Sequence, residues 1–512
     1  SNKSSKKRNL TKKSILIALT ALLISCGGGG GGGGGGSSTT PTPVAPIAPA
    51  PITTTPPVTN TRTGLTWNDS TFSYDRNNPH NNSNSSLTGS GVKIGVIDVG
   101  FQNSAFNADM SAKFGSRLTK LTVSGFTPRS TDKDDHGIIV AYLAAGLPDG
   151  IAKSASVYAV DAGNIRKKDD KDVTYPDIKL EMYQVLKNQG VSIYNQSFGI
   201  DGVVTEFNTD STSNHYYATQ IGNDFLNFYR NEVNNGSLFV WAAGNDSSDT
   251  QPTLEGGLPH FENGLEKGWI NVVALTSKDK SKLGDTSWNN LTPFSPAGVA
   301  KNWTVTAVGD QRYSIKGQSW YGAGSSFAAP IVTGTAALIK EKYPWMDGNL
   351  IRQTILSTAT DIGPSGVDEI YGWGLLNIDK ALRGPALFSK ALALADNVTI
   401  NIPNGTYTFS NDISGDAGVV KNGAGNLILS GHSTFTGPTT VNAGRLQVNG
   451  VYSSSIDIRR QATLYTNNAV INNNISNDGT IENSGLTQVS GNYEALKNSK
   501  VVANLNSNLH IQ

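Results

Sequence analysis

Gly324-Ser325-Ser326-Phe327-Ala328-Ala329-Pro330 places a hydroxyl where extended chain gives way to a helix. Ser326 is the candidate nucleophile, because small Gly and Ala neighbours let a substrate backbone come close. From Ser326 to Lys342 the residues Val332, Ala336, Ala337 and Leu338 follow the pattern of a buried helix. Pro330 is expected in its first turn, where the N–H groups lack intrahelical partners anyway. Small residues also serve plain tight helix packing, so the heptad takes its meaning from the segments around it.

Those segments read as an α/β domain. Val92–Ile97, Ser156–Val160, Ser192–Asn195, Leu238–Trp241 and Ile270–Ala274 are short apolar runs of the kind that form buried parallel strands. Asp177 to Gln189, with Ile178, Met182, Val185 and Leu186 on one face, and Ile221 to Val233 carry helical periodicity between them. The alternation implies a doubly wound, mostly parallel sheet, whose ligands bind at the carboxyl ends of the strands. Asp98 ends one such strand, and Asn245 follows another in Trp241-Ala242-Ala243-Gly244-Asn245. His136 stands in Asp134-Asp135-His136-Gly137, just ahead of the apolar run Ile138 to Ala145. The other histidines lie in polar or turn-like stretches; alone, His136 reads equally well as a helix-capping surface residue.

Acyl transfer needs these residue types together. A serine hydroxyl attacks only when a neutral imidazole takes its proton, and the imidazole needs a buried carboxylate to fix its tautomer and stabilise the cation that forms. Ser326, His136 and Asp98 fill those roles, and Asn245 can hold the oxyanion beside the backbone N–H of Ser326. The chain order Asp, His, Ser is one of three known for this chemistry.

At these residues the chain resembles the subtilase family. Ile94–Asp98, His136-Gly137, Ala242–Asn245 and Gly324–Pro330 are similar to its Asp, His, oxyanion and Ser motifs, and Gly150-Ile151-Ala152 with Ser156–Val160 to the strand region after the His helix. The resemblance covers about residues 64 to 386 and implies a subtilisin-like serine endopeptidase acting on protein or peptide substrates. It also implies that Ser197, Phe198 and Gly199, with Ala242, Ala243 and Gly244, line the primary specificity pocket, the peptide adding as an antiparallel strand. Ile138 and Ile139 depart from the family's Thr and second His, and Ser325 and Phe327 from its Thr and Met. The Ile pair motivates an alternative reading, a surface adhesin or scaffold with an inactive subtilase domain. Calcium sites are common in the family, yet no ligand set can be assigned; Asp132, Asp134 and Asp135 read first as a solvated acidic turn. No cofactor is expected.

The flanks differ in texture. Residues 1–26 join a basic start, a short apolar run and Leu23-Ile24-Ser25-Cys26, which reads as a secretion signal and resembles a bacterial lipobox, implying lipid on Cys26. Residues 27–63, beginning with Gly27 to Gly36, form a Gly- and Pro-rich tether. Cys26 is the only cysteine, which excludes internal disulfides and multi-cysteine metal sites. The 41 basic against 40 acidic residues give +1, and no global field favours a nucleic-acid partner. In residues 397–512 Asn, Gly, Ser and Thr interrupt short alternating runs such as Arg445-Leu446-Gln447-Val448, as expected for a β-solenoid. Val419 to Leu427, Phe435-Thr436-Gly437 and Val441 to Val448 resemble the repeat of autotransporter passengers. Together with the lipobox and the tether they resemble lipid-anchored subtilase autotransporters, which implies a bacterial cell-surface location, at the outer membrane or released from it. Such proteins end in an outer-membrane β-barrel, which is absent from this chain, so a passenger fragment or processed form is expected.

Overall fold

The computed structural model describes residues 17–18, 74–101, 109, 112–131, 134–207, 221–315, 317–504 and 507–511. Cys26, the tether, Asp132 and the leader apart from strand Ile17–Ala18 lie outside them.

The five apolar runs are strands, Lys93–Asp98, Ser156–Asp161, Ile193–Gln196, Leu238–Ala242 and Trp269–Ser277. They pair in parallel in the order 269–277, 238–242, 193–196, 93–98, 156–161. Leu118–Leu121 extends the sheet in parallel beyond 156–161, Thr304–Val308 pairs in parallel with 269–277, and Leu291–Pro293 joins antiparallel. Side chains alternate across the pleat, which splits the strands between two cores. Leu238, Val240 and Ala242 pack with the helices His136–Ala145 and Ser325–Lys342. Phe239 and Trp241 face the helices Leu180–Asn188 and Asn223–Asn234, meeting Tyr183 and Tyr229. A sheet covered on both faces needs apolar residues at nearly every strand position, and these strands supply them.

Beyond the sheet domain, each coil of the chain adds one strand to each of two parallel sheets. Val398, Val419, Thr439, Ile456, Ile475 and Tyr493 stack in register along one of them. Asn401, Asn422 and Asn442 form a side-chain ladder, at 2.8 and 2.7 Å. The expected solenoid is therefore present as parallel, inwardly apolar coils. Among the described residues no helix is long and apolar enough to cross a membrane.

Pro330 requires a correction. Helix 325–342 starts one residue before Ser326, so Pro330 lies inside it, past the first turn. Its missing N–H leaves the carbonyl of Ser326, four residues earlier, without the usual helical donor. The Ser197 hydroxyl donates to that carbonyl instead, at 2.9 Å.

Candidate active site

The carboxyl end of strand Lys93–Asp98 meets the start of helix His136–Ala145, beside the helix that carries Ser326. Asp98 is the last residue of its strand, and His136 is the first of its helix. The Gly137 N–H donates to Val99 O at 2.7 Å, and a side chain at Gly137 would bring a Cβ within 2.6 Å of that oxygen. Only glycine lets the helix start this close to the strand end, which sets His136 beside Asp98. Its Nδ1 lies 2.6 Å from Asp98 Oδ1, and both side chains are fully buried. The Val99 N–H donates to the same Oδ1 at 2.7 Å. His136 is thus a core residue, and the surface-cap reading does not apply.

Burial disfavours both charged forms and raises the Asp98 carboxyl, with the attraction of His136 acting against it. Burial also pulls His136 down, yet the Asp98 contact and hydrogen bond, with Asp134 and Asp135 nearby, outweigh it and leave the imidazole above its ordinary value. Burial and Asp134 push Asp135 up to about 6. Among the described residues no group of three or more His, Cys, Asp or Glu side chains is arranged to hold a metal ion.

Ser326 opens the helix packed against that of His136, and Phe327 next to it places its ring 5.7 Å from the imidazole. Its hydroxyl donates to Ser197 O at 3.2 Å, while His136 Nε2 is buried without a hydrogen-bond partner. The Asn245 carbonyl Oδ1 accepts from Ser325 N and Oγ at 2.7 and 2.8 Å, and Ser325 Oγ also accepts from Gly244 N at 3.1 Å. Ser325 thereby ties the Asn245 amide to the nucleophile's own helix.

The proposed pocket residues form two facing segments. Ser197 and Phe198 lead into strand Gly199–Ile200, while Ala242 ends its strand and Ala243 and Gly244 follow. Thr253 joins the two: its N–H donates to Ala243 O at 2.9 Å and its hydroxyl to Ala242 O at 3.3 Å, while its Cγ2 lies 2.9 Å from where a Cβ on Gly199 would stand. Strand Ile17–Ala18 pairs antiparallel with this edge, Ile17 opposite Ile200. Thr253 and Glu255 escaped the sequence reading because a lone Thr or Glu in a loop carries no spacing signal, and Ser325 was noted there only as a departure from the family's Thr. Ile138 and Ile139 are fully buried in the core.

Fold and site together define a subtilisin-like α/β domain followed by a β-solenoid. Residues 89–374 match the subtilase family model, and the chain belongs to that family of subtilisin-like serine endopeptidases. Residues 419–448 match the passenger-associated-transport-repeat. The chain is 33% identical over 321 residues to the autotransporter lipoprotein NalP of Neisseria meningitidis, covering 58% of this chain and 29% of that protein. It is 26% identical over 506 residues to serotype-specific antigen 1 of Mannheimia haemolytica, with 83% and 51% covered. Against an extracellular serine protease of Serratia marcescens it is 26% identical over 465 residues, with 74% and 43% covered. The chain therefore spans about half or less of the length of these relatives.

Proposed function

We propose that this chain is a secreted serine endopeptidase that cleaves proteins through an acyl-enzyme, with Ser326 as nucleophile, His136 as base and then acid, and Asp98 as its orienting carboxylate. The buried 2.6 Å contact between His136 Nδ1 and Asp98 Oδ1, at the mouth of the Ser326 helix, carries the reading. Ser326 turns its hydroxyl from Ser197 O to His136 Nε2, which takes the proton as Oγ attacks the peptide carbonyl. The Ser326 N–H and the Asn245 amide hold the oxyanion. His136 then gives its proton to the leaving amine, and water, deprotonated by His136 in turn, releases the acyl group. Strand pairing at Gly199–Ile200 supports the peptide adding to that edge, between Ser197–Gly199 and Ala242–Gly244.

The relatives named as an autotransporter lipoprotein and an extracellular protease, with the transport repeat, support an autotransporter passenger displayed at the bacterial surface. Lipid on Cys26 and a β-barrel outside this chain would anchor it to the outer membrane. Ser326→Ala should abolish hydrolysis of unfolded protein, and a fluorophosphonate should label Ser326 of the unaltered chain. A scaffold with an inactive domain remains the second reading, favoured by the Ser326 hydroxyl facing Ser197 O; absence of labelling would establish it over the first.

A further inference from the structure

Glu255 is buried, 2% exposed, and among the described residues no cation pairs with it. Both its carboxylate oxygens accept from the Ile200 N–H, each at 3.2 Å. Its Oε2 lies 3.3 Å from where a Cβ on Gly199 would stand. The backbone that carries this side chain is held in place, because the Glu255 carbonyl accepts from the Trp269 indole at 2.8 Å and Gly256 N donates to Thr253 Oγ1 at 3.1 Å. Thr253, two residues earlier, grips Ala242 and Ala243 on the facing segment.

Backbone N–H and C=O groups of successive residues in an extended strand point to opposite sides. With the Ile200 N–H turned inward to Glu255, the N–H and C=O of Gly199 turn outward, where an added strand pairs. We propose that Glu255 is a positioning residue for substrate binding: it clamps the back of strand Gly199–Ile200 so that Gly199 presents its peptide groups to an extended polypeptide. The inference rests on the endopeptidase reading above. The clamp acts on binding and leaves proton transfer at His136 alone, so its loss falls on long substrates and spares short ones.

The test compares a chromogenic tetrapeptide amide, long enough to pair with the edge, with a single-residue ester that does not reach it. In Glu255→Ala the ratio of kcat/KM for amide over ester should fall about tenfold, the value of one hydrogen bond, through KM with kcat retained. Glu255→Gln keeps an acceptor at the same reach and should restore the ratio, whereas Glu255→Asp, one methylene short, should not. An unchanged ratio in both Glu255→Ala and Glu255→Asp overturns the proposal, and so does a Gln variant as impaired as Asp. Should the Ala variant fail to fold, the Asp and Gln pair decides alone. Fluorophosphonate labelling of Ser326 in the unaltered chain separates the two levels: no labelling refutes the endopeptidase reading itself, while labelling with an unmoved ratio refutes only the clamp.

Discussion

At the scale of single residues, the Asn245 amide and the His136 imidazole, in the roles proposed for them, are set by neighbours that take no part in bond making. Ser325 holds Asn245 Oδ1 by its hydroxyl and its N–H. Removing an oxyanion donor costs about 2.7–4 kcal/mol, so Asn245→Ala should lower kcat about 10²–10³-fold. Ser325→Ala loses one of the two restraints and keeps the 2.7 Å N–H bond; its kcat should fall by less, about tenfold, with KM unchanged. Equal losses in the two variants would show that the amide has no second anchor. The imidazole gives a pH prediction with a definite sign. His136 works as a base only when neutral, and Asp98, Asp134 and Asp135 hold its pKa above 6.5. The acid limb of kcat/KM in the free enzyme should therefore have its midpoint above pH 6.5, with activity rising through it as pH increases. Replacing Asp135, in the turn ahead of the helix, by Asn removes one of the charges favouring imidazolium and should move that midpoint down; a midpoint that rises or stays would contradict the assigned cause.

At the scale of elements, the helix that carries Ser326 is joined to the segment Ser197–Ile200 by a bond that its own proline makes room for. Pro330 has no N–H for Ser326 O, and the Ser197 hydroxyl supplies the donor. Ser197→Ala should therefore destabilise the fold by about 1–3 kcal/mol, the cost of a buried carbonyl left without a partner. In a Pro330→Ala background the new N–H reaches the same carbonyl, so the cost of Ser197→Ala should shrink. Denaturant titration of the four chains, all carrying Ser326→Ala to prevent self-digestion, measures the coupling. Additive costs would mean that the two residues act independently. This junction also marks how far the sequence carried. The parallel strands were legible because buried strands are continuous apolar runs, and the Asp98, His136 and Ser326 segments because each stands where such a run ends or begins. The place of Pro330 in its helix was not, since the start of that helix depends on where Gly324 and Asn245 meet in space. The hairpin Gly163–Lys168 and Lys171–Pro176 was missed as well. Its strands carry charged residues on both sides of the turn, Arg166 to Lys168 and Lys171 with Asp172, and its turn places Asp169 and Asp170 at φ 48° and 60°, a left-handed conformation usually signalled by Asn-Gly or Asp-Gly.

At the scale of the whole molecule, the protease domain and the solenoid share one hydrophobic core. The buried cluster that contains Ile138, Phe327 and Val332 continues through Phe388, Phe409 and Val419 to Ile481. Tyr343, one residue past the nucleophile helix, donates to Thr408 O at 2.7 Å and meets the ring of Phe409 edge-on at 5.3 Å. Trp345 packs on Tyr407 with ring centroids 5.7 Å apart. Deeper in the coils, Lys421 has no exposed surface and donates to the carbonyls of Asn422, Gly423 and Ala443, so one ammonium closes successive turns. A solenoid coil cannot bury its end alone, and here the protease domain covers the first one. Unfolding of the first coils therefore exposes the apolar surface behind the helix that carries Ser326, and the two parts should melt as one unit. Phe409→Ala removes a fully buried ring from the junction and should cost about 3–5 kcal/mol. Calorimetry should then show a single transition moved to lower temperature, with peptidase activity lost at the same shifted temperature. Two separate transitions, with activity surviving the first, would show that the domains are stable independently and that the aromatic junction only tethers them.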